Sequence, residues 1–184
     1  MATILPVKGI SPRIPEGCFI APNATIVGDV QMGEGCSVWF SAVVRGDVAR
    51  IVMGNKVNIQ DGAVIHGTYQ KTETIIGDNV SIGHRAIVHG CTIADRVLIG
   101  MGAIVMDRVR IGSGSIIGAG AVVLEGTEIA SGTVWAGIPA KKVKDISAEL
   151  LAGEVDRIAN SYELYASWFQ DGDVEKISAG NLDV

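Results

Sequence analysis

Apolar residues recur along this chain every six positions. From Ile20 they fall at Ile26, Met32, Val38 and Val44, and a second small or apolar residue sits four later at Ala24, Val30, Cys36, Ala42 and Val48. The frame restarts at Met53, Ile59 and Ile65, and again at Ile76, Ile82 and Val88. One residue short, it resumes at Ile93 and runs through Ile99, Val105, Ile111, Ile117, Val123 and Ile129 to Trp135. Glycine often follows the anchor, as at Gly54, Gly77, Gly83 and Gly100. A helix would space its apolar residues three and four apart, and a half-buried strand would alternate. A period of six held for this long predicts a solenoid with three flat sides, each a six-residue strand and turn. The anchors then point into a triangular interior, and the coils stack at about 4.8 Å. A run of ordinary hairpins does not account for the persistence of the period.

After Val143 the spacing changes. Leu151, Val155, Ile158, Tyr162, Tyr165 and Phe169 repeat at three to four, which predicts an amphipathic helix over 146–172. Ser147 is its expected N-cap and Gly172 its expected end. The chain thus divides into a β-solenoid over 1–145, a helix packed alongside, and a loose tail over 173–184. The stretch 67–75 (GTYQKTETI) is too long for a corner and reads as a protruding loop.

Composition narrows the picture. The chain is 48% hydrophobic but only 5% aromatic, so its core must be aliphatic. A net charge of −5 without a basic stripe argues against nucleic acid as a partner. Lys141, Lys142 and Lys144 read as a solvated turn. No apolar run reaches the roughly 20 residues of a membrane span, and no signal peptide is visible. Three cysteines at unrelated spacings suit a reducing cytoplasm and form neither a disulfide framework nor a zinc knuckle.

All 3 histidines lie between positions 66 and 89. Counting anchors, Val44, Ile65 and Val88 share side one, Met53 and Ile76 side two, and Ile59 and Ile82 side three. His66 and His89 directly follow their anchors on side one, one coil apart, so two imidazoles can share a cation. His84 follows Ile82 on side three and is expected to reach that cation from a neighbouring subunit. A cyclic homotrimer makes this contact with identical, closing interfaces. Three neutral imidazoles leave one tetrahedral position open, the arrangement of a catalytic zinc site. Arg45 and Asp47 lie one coil below His66, and Gln60 and Asp61 one coil below His84. Across the interface the first pair is expected to face the second. Imidazole sites also accept cobalt or iron(II), so the metal identity stays open.

The segments RGDV (45–48), NIQDGAVIH (58–66) and GHRAIVHGC (83–91) resemble those of gamma-class carbonic anhydrases, and the likeness runs in order over residues ~15 to 145. The hexapeptide pattern as a whole resembles proteins that form left-handed β-helices. The resemblance implies His66, His84 and His89 as metal ligands, Arg45 and Asp47 as an interface pair with Asp61 as cross-subunit partner, and Gln60 as the residue orienting the hydroxide. Asn58 matches a nearby polar residue and Tyr165 a tyrosine near the pocket. The implied activity is hydration of carbon dioxide to bicarbonate. The sequence departs from the archetype in two places. Val48 stands where that enzyme has a glutamate after RGD, and the stretch after the first histidine carries only Glu73 where the archetype has a proton-shuttle glutamate. Two other readings follow. The segment WAGIPAKKVK (135–144) is also found in hexapeptide acyltransferases, where a single histidine acts as general base. The missing glutamates suit a metal-binding trimer of weak or no activity.

Overall fold

The six-residue anchors stack in three columns. On side one Ile26, Val44, Ile65, Val88, Val105 and Val123 pair in parallel register. Side two carries Met53, Ile76, Ile93, Ile111 and Ile129. Side three carries Ile20, Val38, Ile59, Ile82, Ile99, Ile117 and Trp135. The computed structural model describes residues 1–170 and is a left-handed parallel β-helix of about seven coils with one C-terminal helix.

Every anchor is buried except Ile20 and Trp135, which are half-buried at the two ends. An end coil has only one neighbour to cover it, so this gradient belongs to any stacked repeat. β-Branched residues suit the inner columns because each side chain packs on its own kind one coil away. Backbone hydrogen bonds run from coil to coil, for example Val64 N–H to the Ala86 carbonyl at 2.9 Å and Ile87 N–H to the Ala103 carbonyl at 2.8 Å. Among the described residues no buried side-chain polar atom lacks a hydrogen-bond partner. The coils lie too close for any side chain at Gly46, where a Cβ would stand 2.5 Å from the Asp29 carbonyl oxygen.

Both ends are covered. Thr3–Leu5 pairs with Thr25–Val27 and closes the first coil. Lys141–Asp145 folds back antiparallel on Thr133–Ala136, so the three lysines occupy an exposed edge strand and not a turn. An edge strand rich in lysine is poorly suited to pairing with another chain, which protects this end of the sheet.

Helical structure begins at Ala148, with Leu150 N–H donating to the Ser147 hydroxyl at 3.2 Å. It is not uniform. Leu151–Asp156 is π-helical, with Arg157 N–H bonded back to the Ala152 carbonyl, and Arg157–Gln170 is α-helical. The wider turn accommodates an extra residue. The buried face reads Val155, Ala159 and Ala166, with Tyr162 and Tyr165 half-buried. Leu151 and Ile158 are half-buried on this same face, as the spacing predicts. Phe169 is 37% exposed, although its ring meets Phe19, Trp39 and Phe40 at 5.3 to 5.7 Å. Arg96 grips Asp156 through two hydrogen bonds, and Lys56 meets Glu163 at 3.1 Å, which fixes the helix beside side three. Gly172 and the expected tail lie outside the described residues. No helix among the described residues is long and apolar enough to cross a membrane.

Candidate metal centre

Strands Val64–His66 and Ile87–His89 are paired so that His66 and His89 are direct neighbours across coils. Their anchors, Ile65 and Val88, are fully buried and point inward, so alternation sends both imidazoles outward from the same side. His66 Nδ1 lies 3.2 Å from His89 Nε2. His84 follows Ile82 and Gly83 at the end of side three, in a different column. Among the described residues no three His, Cys, Asp or Glu side chains of one chain converge on a common point.

Each imidazole also meets a carboxylate. Asp47 Oδ1 is 3.1 Å from His66 Nε2, Asp107 Oδ1 is 2.8 Å from His89 Nδ1, and Asp61 Oδ2 is 2.8 Å from His84 Nδ1. An ionised carboxylate accepts hydrogen bonds only, so in the neutral ring the nitrogen facing it carries the proton. That leaves lone pairs on His66 Nδ1, His89 Nε2 and His84 Nε2. Two lone pairs facing at 3.2 Å repel unless a cation or a proton lies between them. Two nitrogens bound tetrahedrally to zinc at 2.0–2.1 Å stand about 3.3 Å apart. The donor set and the spacing therefore fit a zinc ion with a third nitrogen supplied from elsewhere.

The local electrostatics follow the same contacts. Burial pushes the Asp47 carboxyl up, but hydrogen bonds from Arg45 and His66 outweigh it and hold the group below its ordinary value. Asp107 behaves alike: burial raises it, while Thr68, His89 and Thr72 together bring it below the usual carboxylate range. Burial lowers His66, against the pull of Asp47, which favours the neutral ring that a metal requires.

Within one chain Arg45 binds Asp47 at 2.6 Å, and Asp61 binds His84. Gln60 is 4% exposed and fixed at both ends. Its Oε1 accepts from the His84 backbone N–H at 3.2 Å, and its Nε2 donates to Asn58 Oδ1 at 3.0 Å. Asn58 in turn donates to the Ser81 hydroxyl at 2.7 Å. Gln60 and His84 line a cleft of about 430 Å³ between side three and the C-terminal helix, together with Met101, Arg157, Tyr162 and Tyr165. Tyr165 reaches this cleft, but the tyrosine beside the histidine is Tyr162, with its hydroxyl 3.4 Å from His84 Nε2. Burial raises the Tyr162 hydroxyl to about 12, with Asp61 and Tyr165 adding to the effect, so it stays protonated. Glu73 is exposed and lines a separate surface hollow with Asp29, Arg50 and Lys71.

Sequence reasoning missed two of these residues. Asp107 lies two positions after Val105, the side-one anchor one coil above Val88. Counting coils upward from His89, as Asp47 was found by counting down from His66, carries the signal. Tyr162 sat on the apolar stripe of the helix, and nothing in the spacing separated it from Tyr165.

The family model for bacterial transferase hexapeptide (six repeats) matches residues 11–46 and 90–125. A carbonic anhydrase of Geobacillus kaustophilus is 46% identical over 159 residues, covering 86% of each chain. Gamma carbonic anhydrase 2, mitochondrial, of Arabidopsis thaliana is 39% identical over 91% of this chain, which spans 61% of the plant protein's length. A crystal structure from Bacillus cereus, provisionally described as an acetyltransferase, is 39% identical with a TM-score of 0.89 and covers 92% of this chain and 98% of its own. The identity and coverage in the first two cases, together with the stacked repeat, establish that this chain belongs to the gamma carbonic anhydrase family.

Proposed function

We propose that the protein hydrates carbon dioxide to bicarbonate at a zinc site shared between the protomers of a cyclic homotrimer. His66 and His89 of one protomer and His84 of the next would hold the ion. The observation that carries this reading is the pair of facing ring nitrogens at 3.2 Å, each imidazole backed by a carboxylate. Such a pair is well placed to share a cation, and among the described residues no third ligand of the same chain joins it. Side three carries the chain's one other imidazole, in a different column, which supports a third ligand drawn from another copy.

Zinc in such a site brings the pKa of bound water near 7 and thereby supplies a nucleophile at neutral pH. The chain's own groups do the rest. Asp47 and Asp61 hold His66 and His84 in the right tautomer, and Arg45 holds Asp47 while presenting charge to the adjoining protomer. Gln60, anchored by Asn58, keeps one amide N–H free to orient the nucleophile. Tyr162 lies beside His84, its hydroxyl 3.4 Å from the Nε2 that would bind the ion. Each hydration releases a proton, and with Val48 after RGD and Glu73 exposed in a separate hollow, buffer or another group has to accept it.

The test is stopped-flow hydration of carbon dioxide by zinc-loaded protein, with His89→Ala as control. The expected result is a metal-dependent rate that rises with buffer concentration. A rate that His89→Ala leaves intact contradicts the assignment. The acyltransferase reading draws on the description of the Bacillus cereus structure. It leaves the stacked histidine pair without a task, and protection against heating by acetyl-CoA alone is the result that favours it.

A further inference from the structure

Asp107 and the protruding loop meet at His89. The carboxylate of Asp107 accepts three hydrogen bonds: from His89 Nδ1 at 2.8 Å, from the Thr68 hydroxyl at 2.7 Å and from the Thr72 hydroxyl at 3.1 Å. Thr68 and Thr72 are also joined to each other, with Thr68 N–H donating to Thr72 Oγ1 at 3.0 Å. The two threonines belong to the stretch between strands Val64–His66 and Thr74–Ile76, which breaks the repeat. Gly90, directly after His89, has φ +55. A Cβ there would collide with Asp107 Oδ1 and with the Thr72 hydroxyl. The backbone beside His89 is thus bare where the carboxylate and the loop come together.

We propose that Asp107 is the positioning residue for His89, and that the loop acts on the metal site through it by way of Thr68 and Thr72. This deepens the proposed function and rests on His89 being a metal ligand. The reasoning is geometric. A histidine can bind a cation through Nε2 only if Nδ1 carries the proton and the ring is aimed. A carboxylate on Nδ1 secures both, and it raises the donor strength of Nε2. A carboxylate on a solvent-facing side chain would swing away, but two hydroxyls from the loop fix it on both oxygens. The loop is therefore part of how the ligand is oriented, although it supplies no ligand of its own. Loss of such an outer partner typically weakens metal binding by about 10- to 100-fold.

The experiment measures zinc affinity of the assembled protein by competition with a chromophoric chelator, and records the visible spectrum of the cobalt(II) form. The proteins are wild type, Asp107→Ala, Asp107→Asn, the Thr68→Val/Thr72→Val double variant and His89→Ala. Asp107→Ala is expected to bind zinc about 10- to 100-fold more weakly, with altered cobalt bands. Asp107→Asn keeps an acceptor and the side-chain shape, and so covers the case in which the alanine variant does not fold; its loss is smaller but in the same direction. The double threonine variant falls between wild type and Asp107→Ala. Wild-type affinity in both Asp107 variants overturns the role of Asp107. Weakened Asp107 variants beside an unchanged threonine variant overturn the role of the loop. If wild type itself binds no better than His89→Ala, the metal reading fails, and that outcome is distinct from the other two.

Discussion

Mixing two defective chains separates a site shared between protomers from one built inside each. A His84→Ala chain keeps His66 and His89, and a His89→Ala chain keeps His84. In the proposed ring every interface joins side one of one protomer to side three of the next. An interface is whole only where a His84→Ala chain supplies side one and a His89→Ala chain supplies side three. Going round any three-membered ring that contains both chains, that order occurs about once, whichever chain is in the majority. Each mixed trimer should therefore hold about one metal ion, while neither parent holds any. Refolding an equal mixture at random gives roughly three-quarters mixed rings, or about 0.75 ions per trimer averaged over the sample. Two different affinity tags isolate the mixed rings, and elemental analysis with a hydration assay reads the result. The geometry behind this count is the pairing of His66 with His89 on one side and the placement of His84 in another column. If all three ligands came from a single chain, every chain in the mixture would lack one, and metal content would stay at zero at every mixing ratio.

Three further outcomes are expected. Ile65 is fully buried between Val44 and Val88, so Ile65→Ala should lower stability by about 2–5 kcal/mol, read as a fall in the urea midpoint at constant slope; a fall under 1 kcal/mol argues against a close-packed column. For metal-free protein, stability should fall on acidification in two stages. His66 is lowered from 6.5 and Asp47 and Asp107 from 3.8, so in each case the unfolded chain binds protons more readily and stability is lost below those values. A urea midpoint that rises from pH 7 to pH 5 contradicts the first stage. Deleting Gly153 removes the extra residue that the π-helical turn absorbs, so the segment should close to an ordinary α-helical turn with Tyr162 still beside His84 and the melting temperature nearly unchanged; a large fall in the melt means that the wide turn itself sets the packing.

The solenoid was legible because a column of anchors is a one-dimensional property. Counting by six from Ile20 is enough to say that Ile65 and Val88 share a side, and the observed register agrees. The same count put His66 beside His89. Contacts that leave the column were harder. Asp107 meets His89 from the coil above, within reach of a coil count, but Thr68 and Thr72 come from a loop with no period, so no spacing ties them to the pair. The wide turn within the helix was hidden for a related reason. A π-helical turn leaves the sequence looking helical on both sides while adding one residue between them, so the spacing of apolar residues gave no sign of Leu151–Asp156 although Val155, Tyr162 and Ala166 share one face. Ala159 and Ala166 gave no signal because alanine favours a helix on any face and is too small to mark an apolar stripe.

The corner that follows the histidine column accommodates very different amounts of chain. It is crossed from Val44 to Met53 by one long bent strand, from Ile65 to Ile76 by the loop, and from Val88 to Ile93 by little more than Gly90 and Cys91. Across all three, the anchors on either side remain paired with their counterparts. Doubling the length of a flexible connection costs only about 0.6 kcal/mol, so residues gained or lost at this vertex are nearly silent to the interior. The architecture thus separates two tasks along its length: the repeat maintains the scaffold, and a single edge stays free to vary in size beside the reactive groups. Grafting segments of different length at that edge, with Thr68 and Thr72 kept in place, is then a practical way to reshape the mouth of the site without redesigning the scaffold beneath it.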